Sequence, residues 1–165
     1  MTIQEFKELG NLALERQRHY MELTGQIDKS GKMLVNVNYV ELLKEEYNEF
    51  MKARDVNDRL EMVDALCDII VCQAGVNIQL NCNCNVYFED ETEICGHISS
   101  HDDEFDFMAG LNEVFDNNLA RLQYDENGNV ILDMREFLED GTKNPKFGKV
   151  KKKDITPNLK QFFRN

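Results

Sequence analysis

The chain has 165 residues, with 31 Asp and Glu against 19 Lys and Arg, a net charge of −12 and no tryptophan. Two prolines and 30% charged residues fit a mostly helical single domain with a real core, not a β-sandwich. The acidic balance argues against nucleic-acid binding, and neither an uncharged apolar run of about 18 residues nor a charged-then-apolar leader is read in the chain. The expectation is a cytoplasmic protein with no nucleic-acid or membrane partner. Five cysteines, with Cys67 and Cys72 inside a helical pattern, point to free thiols in a reducing compartment.

Helix one is predicted from Thr2, an N-cap with Glu5 three residues on, to about Thr24 ahead of Gly25. A polar loop follows from Gly25 to Lys32. Helix two is predicted over about Asn38 to Arg54, with Tyr39, Val40, Leu43, Tyr47, Phe50 and Met51 at helical spacing. Asn57 or Asp58 caps helix three, from about Arg59 to Leu80. Residues 81–100 read as irregular, or as a short hairpin around Val86 to Phe88. Helix four is expected to begin near His101 to Asp103, with Asp102-Asp-Glu104 as its negative first turn, and to carry Phe105, Met108, Leu111, Phe115, Leu119 and Leu122 on one stripe. After the turn signal Asp125-Glu-Asn-Gly128 comes a weak strand at Val130 to Leu132. A basic extended tail completes the chain. The expected architecture is one all-α domain over 1–165, a four-helix core at about 2–124 and an irregular basic tail at about 125–165.

Charge is unevenly placed along this plan. From Leu60 to Ala120 there is no Lys or Arg but thirteen Asp and Glu, while eight bases crowd between Lys143 and Arg164. On helix two, Glu46 falls on the shoulder of the apolar stripe with Glu49 one turn on. Glu41 and Glu45 share the far face with Lys44 and Lys52 and read as solvated charge. Helix three is apolar almost all round, so it should be buried on most faces. Yet Glu61, Asp64 and Asp68 fall within a sector of about 60° on it. Unpaired carboxylates there carry a heavy desolvation cost, so they must be protonated, paired or bound to metal. Oxygen ligands without thiolates or imidazoles nearby suit Mg²⁺ or Mn²⁺. The competing readings are a water-exposed bundle end and a surface that docks a partner's bases.

Glu46-Tyr-Asn-Glu49 followed after eleven residues by Glu61-Met-Val-Asp64 is an ExxE pair and an ExxD pair on adjacent helices. This resembles the all-α nucleoside triphosphate pyrophosphatase superfamily, which includes MazG-like proteins, dimeric dUTPases and phosphoribosyl-ATP pyrophosphohydrolases. The spacer sits at the short end of the family pattern. Asp68 matches a further acid that many members carry one turn on, and Asn118-Leu-Ala-Arg121 looks like the family's Asn-x-x-Lys/Arg phosphate or sugar contact. The ending from Lys149 to Leu159 resembles the tails of phage-encoded members, which would place the protein in a host cytoplasm. The resemblance covers about residues 38–160.

The resemblance implies a Mg²⁺-dependent enzyme, with Mn²⁺ as a substitute, that cleaves a (d)NTP to the monophosphate and pyrophosphate. It implies Glu46, Glu49, Glu61, Asp64 and Asp68 as metal ligands, with Glu46 also the group that orients or deprotonates water. Asn118, Arg121, Lys149 and Lys151 would contact the substrate, with Lys152 a further basic candidate. Relatives form dimers or dimers of dimers, so a homodimer or homotetramer is expected. A non-catalytic helical binding module on the same fold is the rival. A zinc-stabilised interaction protein, using Cys82, Cys84, Cys95 and His97, is the third reading, although a one-residue Cys spacing is short for a zinc knuckle.

Overall fold

The computed structural model describes residues 1–80 and 91–164, with side chains in the second stretch from Ile94. Among these residues the fold is all-α and has no sheet. Five α-helices form: α1 (Ile3–Leu23), α2 (Tyr39–Asp55), α3 (Arg59–Gln79), α4 (Glu91–His101) and α5 (Phe107–Ala120), with a 3₁₀ turn at Leu159–Phe162. None is long and apolar enough to cross a membrane. The chain divides into two compact units, one of Met1–Phe115 with Pro157–Asn165, the other of Asp116–Thr156.

The first three helices begin where side chains satisfy their open N–H groups. Thr2 and Glu5 form a reciprocal capping box: the Glu5 N–H donates to the Thr2 hydroxyl at 3.2 Å, and the Thr2 N–H to the Glu5 carboxylate at 2.6 Å. Asn38 caps α2 and Asp58 caps α3, each accepting a backbone N–H three residues on at 3.2 Å. The link between α2 and α3 is tight because Asn57 takes a left-handed φ of 57°, which lets the Asp58 N–H return to the Ala53 carbonyl at 2.9 Å. α3 is the central helix, buried from Met62 to Ile78 on nearly every face. Around it Leu9 and Ala13 of α1, Phe50 of α2, Ile94 and Ile98 of α4, and Leu111 and Phe115 of α5 complete the core.

Three expectations are corrected. Residues 91–101 are helical, held by Ile94 and Ile98 one turn apart and both buried, where irregular chain was expected. The helix expected from 101–103 starts only at Phe107, and Asp102 to Glu104 lie in the turn before it. Its first turn is capped instead by Asp106, whose carboxylate accepts the Ala109 N–H at 3.0 Å. The Phe105 ring then covers Gly110, where any Cβ would collide with it. Finally, 130–132 forms isolated bridges and no strand. The hairpin expected at Val86 to Phe88 lies outside the described residues.

The expected extended tail instead returns to the helical unit at residues 159–163. Leu159 is buried, the Phe163 ring meets Phe105 edge-on at 5.2 Å, and the Asp106 N–H donates to the Phe162 carbonyl at 3.0 Å. The 116–156 unit is built from paired backbone: Tyr124 bridges Val130, Leu132 bridges Val150, Leu122 bridges Lys152 and Phe137 bridges Lys143. Its polar anchor is Asp133, buried and gripped by Arg135 through Nε at 3.0 Å and Nη2 at 2.7 Å. That pairing holds the Asp133 carboxyl well below the usual carboxylate range.

Candidate active site

The helical hairpin of α2 and α3 places the sequence-predicted acids along one seam. Glu46 is half-buried there, and burial, followed by the charges of Glu49 and Asp64, pushes its carboxyl from 4.5 up to about 7. Asp64, also half-buried, is raised by burial and then by Glu61 and Glu49. These shifts are spatial statements. Glu49 on α2 acts on Glu46 and on Asp64 of α3, so the two pairs share one electrostatic field.

Two thiols report the same neighbourhood. Cys67, fully buried, is raised by burial and then by Asp68 and Asp64. Cys72 is raised by burial and then by Glu46 and Asp68. Asp68 therefore acts on the same thiols as Asp64 and Glu46. Cys72, whose thiol senses both helices' acids, was read from the sequence only as a thiol inside a helical pattern, with no link to the acids.

Among the described residues, none of Glu46, Glu49, Glu61 or Asp64 makes an ion pair with a base. Glu41 does, with Lys44 at 3.0 Å, as a far-face residue should. Glu45 is exposed but adds a little to the field at Glu46. Among the described residues, no three His, Cys, Asp or Glu side chains are already drawn together as a ligand set. The donor chemistry nonetheless fits a hard dication. Glu49 and Glu61 are exposed and act electrostatically on the half-buried Glu46 and Asp64, whose raised pKa values are what an added positive charge would relieve.

The predicted substrate contacts Asn118, Arg121, Lys149 and Lys151 all lie in the 116–156 unit. Within it, Asn118 and Arg121 stand one turn apart at the end of α5. Arg121 is tied to the lysine segment, its Nε donating to the Lys153 carbonyl at 3.3 Å and its carbonyl accepting the Lys153 N–H at 2.7 Å. Lys151 donates its N–H to Ile131 at 2.8 Å, and the Lys149 carbonyl accepts from Asp133 at 2.8 Å. Of the zinc candidates, Cys82 and Cys84 lie outside the described residues. Cys95 is half-buried on α4, and the His97 ring packs at 4.7 Å from Phe50.

A buried polar relay also escaped the sequence reading. Gln17 sits on the buried stripe of α1 and donates through Nε2 to the Tyr39 hydroxyl at 2.9 Å, which donates on to Gln26 Oε1 at 2.7 Å. A glutamine at helical spacing between Ala13 and Met21 was the available signal. The chain matches no protein-family model, no curated protein and no solved structure at a significant level.

Proposed function

We propose that this protein is a Mg²⁺-dependent nucleoside triphosphate pyrophosphohydrolase. The observation that carries the reading is the seam itself: acids from two adjacent helices share one field, two are half-buried with raised pKa values, and none of Glu46, Glu49, Glu61 and Asp64 is neutralised by a base among the described residues. The resemblance of the ExxE and ExxD pairs to the all-α pyrophosphatases supports it. Glu49, Glu61, Asp64 and Asp68 would hold the ion, with Glu46 at its edge. When bound, Mg²⁺ supplies charge neutralisation on phosphate oxygens and an acidified water.

Glu46, at about 7, exchanges a proton near neutral pH, which suits it to orient and deprotonate the attacking water. Water would add at the α-phosphorus and the bond to the bridging oxygen would break, giving a monophosphate and pyrophosphate. Arg121, Lys149 and Lys151 are proposed to balance phosphate charge and Asn118 to bind the sugar or phosphate. Assembly as a homodimer or homotetramer belongs to the same proposal.

The test is direct. The protein is incubated with each NTP and dNTP plus Mg²⁺ or Mn²⁺, and products are followed by phosphorus NMR. Monophosphate and pyrophosphate are expected. Orthophosphate and a diphosphate would move the chemistry to the γ-phosphoryl group and overturn the reading. Absence of turnover with any nucleotide would leave the acid seam as a docking surface for basic partners.

A further inference from the structure

A hairpin tip in the 116–156 unit brings two chemically reactive neighbours together. Asn127 is followed by Gly128, the one Asn-Gly step in the sequence. The Asp125 carboxylate folds the chain around them, accepting the N–H groups of Asn127 at 2.8 Å and Asn129 at 2.9 Å. The Asp125 N–H closes the loop on the Asn129 carbonyl at 2.9 Å, and Gly128 takes a left-handed φ of 80°. Asn127 is exposed, and its side-chain amide makes no hydrogen bond among the described residues. Its neighbours differ: the side-chain amides of Asn117, Asn129 and Asn144 donate to Ile155, Asp125 and Arg135.

Asparagine is among the thermolabile side chains, because its amide carbon is an electrophile within reach of the next residue's backbone nitrogen. A Cβ on that next residue crowds the approach, and glycine has none. Nothing lies within 4 Å of where a Gly128 Cβ would stand, so this peptide is open to solvent. Its N–H is held by the Asp125 carbonyl at 3.1 Å. That bond has to open before the nitrogen can react, and an exposed loop tip opens at little cost.

We infer that Asn127 is a site of self-modification, at which the chain converts its own side-chain amide to isoaspartate and aspartate. The Gly128 nitrogen gives its proton to solvent base and bonds to the Asn127 side-chain carbonyl carbon. The bond from that carbon to the amide nitrogen breaks, and the nitrogen leaves as ammonia, taking a proton back from water. The cyclic imide that remains takes up one water at either carbonyl and reopens. One opening gives aspartate; the other gives isoaspartate, whose main chain runs through the former side-chain carbon. That extra methylene falls between the two N–H groups that share the Asp125 carboxylate, and a new charge joins Asp125 and Glu126. The pairing of Tyr124 with Val130, and the Ile131 N–H bond to the Gln123 carbonyl at 2.8 Å beyond it, then lose their register. Lys151 leans on the same arm, its N–H donating to the Ile131 carbonyl at 2.8 Å. The site is thus an irreversible, time-dependent release of this hairpin, and it does not depend on the enzymatic reading.

Mass spectrometry of the full chain incubated at pH 6 and pH 8 tests it. Trypsin releases Leu122–Arg135, which should give two products with the mass gain of an amide turned acid, the change placed at Asn127 by fragmentation. The rate should be higher at pH 8, since the attacking nitrogen must shed its proton. It should exceed that at the exposed Asn57, whose successor Asp58 carries a Cβ, by about tenfold or more. Asn127→Gln, which would need a larger ring, should stop the conversion and leave the circular dichroism unchanged. In the isoaspartate form, hydrogen exchange at the Asn129 and Ile131 amides should speed up by about tenfold or more. Asn127→Asp, which adds the charge without the methylene, should leave that exchange as it is in the parent. An intact Leu122–Arg135 peptide, conversion no faster than at Asn57, or conversion only after unfolding in urea overturns the site. Unchanged exchange at Asn129 and Ile131 in the isoaspartate form overturns the release.

Discussion

The ring of Tyr39 lies against the backbone of Gly75, so closely that α3 has no room for a side chain at that point. With the Tyr39 hydroxyl held between Gln17 and Gln26, this contact fixes where the start of α2 meets the far half of α3. The register of the acid-bearing helices follows from it.

Gly75→Ala should therefore destabilise the protein by about 1–3 kcal/mol through overpacking, although alanine is the better helix former by about 1 kcal/mol. Tyr39→Phe keeps the ring but strands the buried Gln17 amide, and should cost about 1–3 kcal/mol. Urea unfolding reads both as lower midpoints at unchanged slope.

Glu46 binds its proton more tightly in the folded chain, at about 7, than at its ordinary value of 4.5. The folded state thus holds the extra proton across that window, and stability contributed by this group is complete below about pH 4.5 and lost as pH rises through 7. After discounting for solvent screening the loss is about 1–2 kcal/mol. Thermal melts without divalent ions, at pH 5 to 8, should show this decline in the parent and a flatter profile in Glu46→Gln. Identical profiles would show that Glu46 is not the group concerned.

A dication reverses that trend. Mg²⁺ or Mn²⁺ should raise the melting temperature by mass action, more at pH 8 than at pH 6, because protons compete for the same carboxylates. Glu61→Gln and Asp64→Asn should each abolish most of the shift and most of any hydrolysis, while Glu41→Gln, paired with Lys44, should change neither. Calorimetric titration of the four proteins distinguishes ligands from bystanders. Equal behaviour of all variants would remove the metal site.

The start of α5 offers a local test. Asp106→Ala should cost about 0.5–2 kcal/mol, the worth of an N-cap, whereas Asp103→Ala in the preceding turn should stay within about 0.5 kcal/mol. Denaturant midpoints of the two variants would separate them.

The first three helices were legible because pattern and caps agree there: Thr2 with Glu5, and Asp58 ahead of an apolar run. α4 was hidden because its only buried apolar pair among described side chains is Ile94 and Ile98, set among Gly96 and the polar His97, Ser99, Ser100 and His101, so tertiary packing and not periodicity decides it. The start of α5 was misplaced because four acids between Asp102 and Asp106 offer equivalent caps, and only the docking of Phe105 over Gly110 selects the last of them. At the seam, helical spacing alone placed Glu61, Asp64 and Asp68 together. Their coupling to Glu46 and Glu49 needed the α2–α3 turn, whose left-handed Asn57 has no periodic signal.

Because Leu159 and Phe163 return to the Phe105 region, the excursion from 116 to 156 is bracketed by packed chain on both sides. The entropy of closing such a loop grows only with the logarithm of its length, about 0.6 kcal/mol per doubling. Evolution can therefore lengthen, shorten or exchange that excursion at small thermodynamic cost, provided the returning segment is kept. The helical body and the excursion are free to diverge at different rates, as a chassis and its fitting.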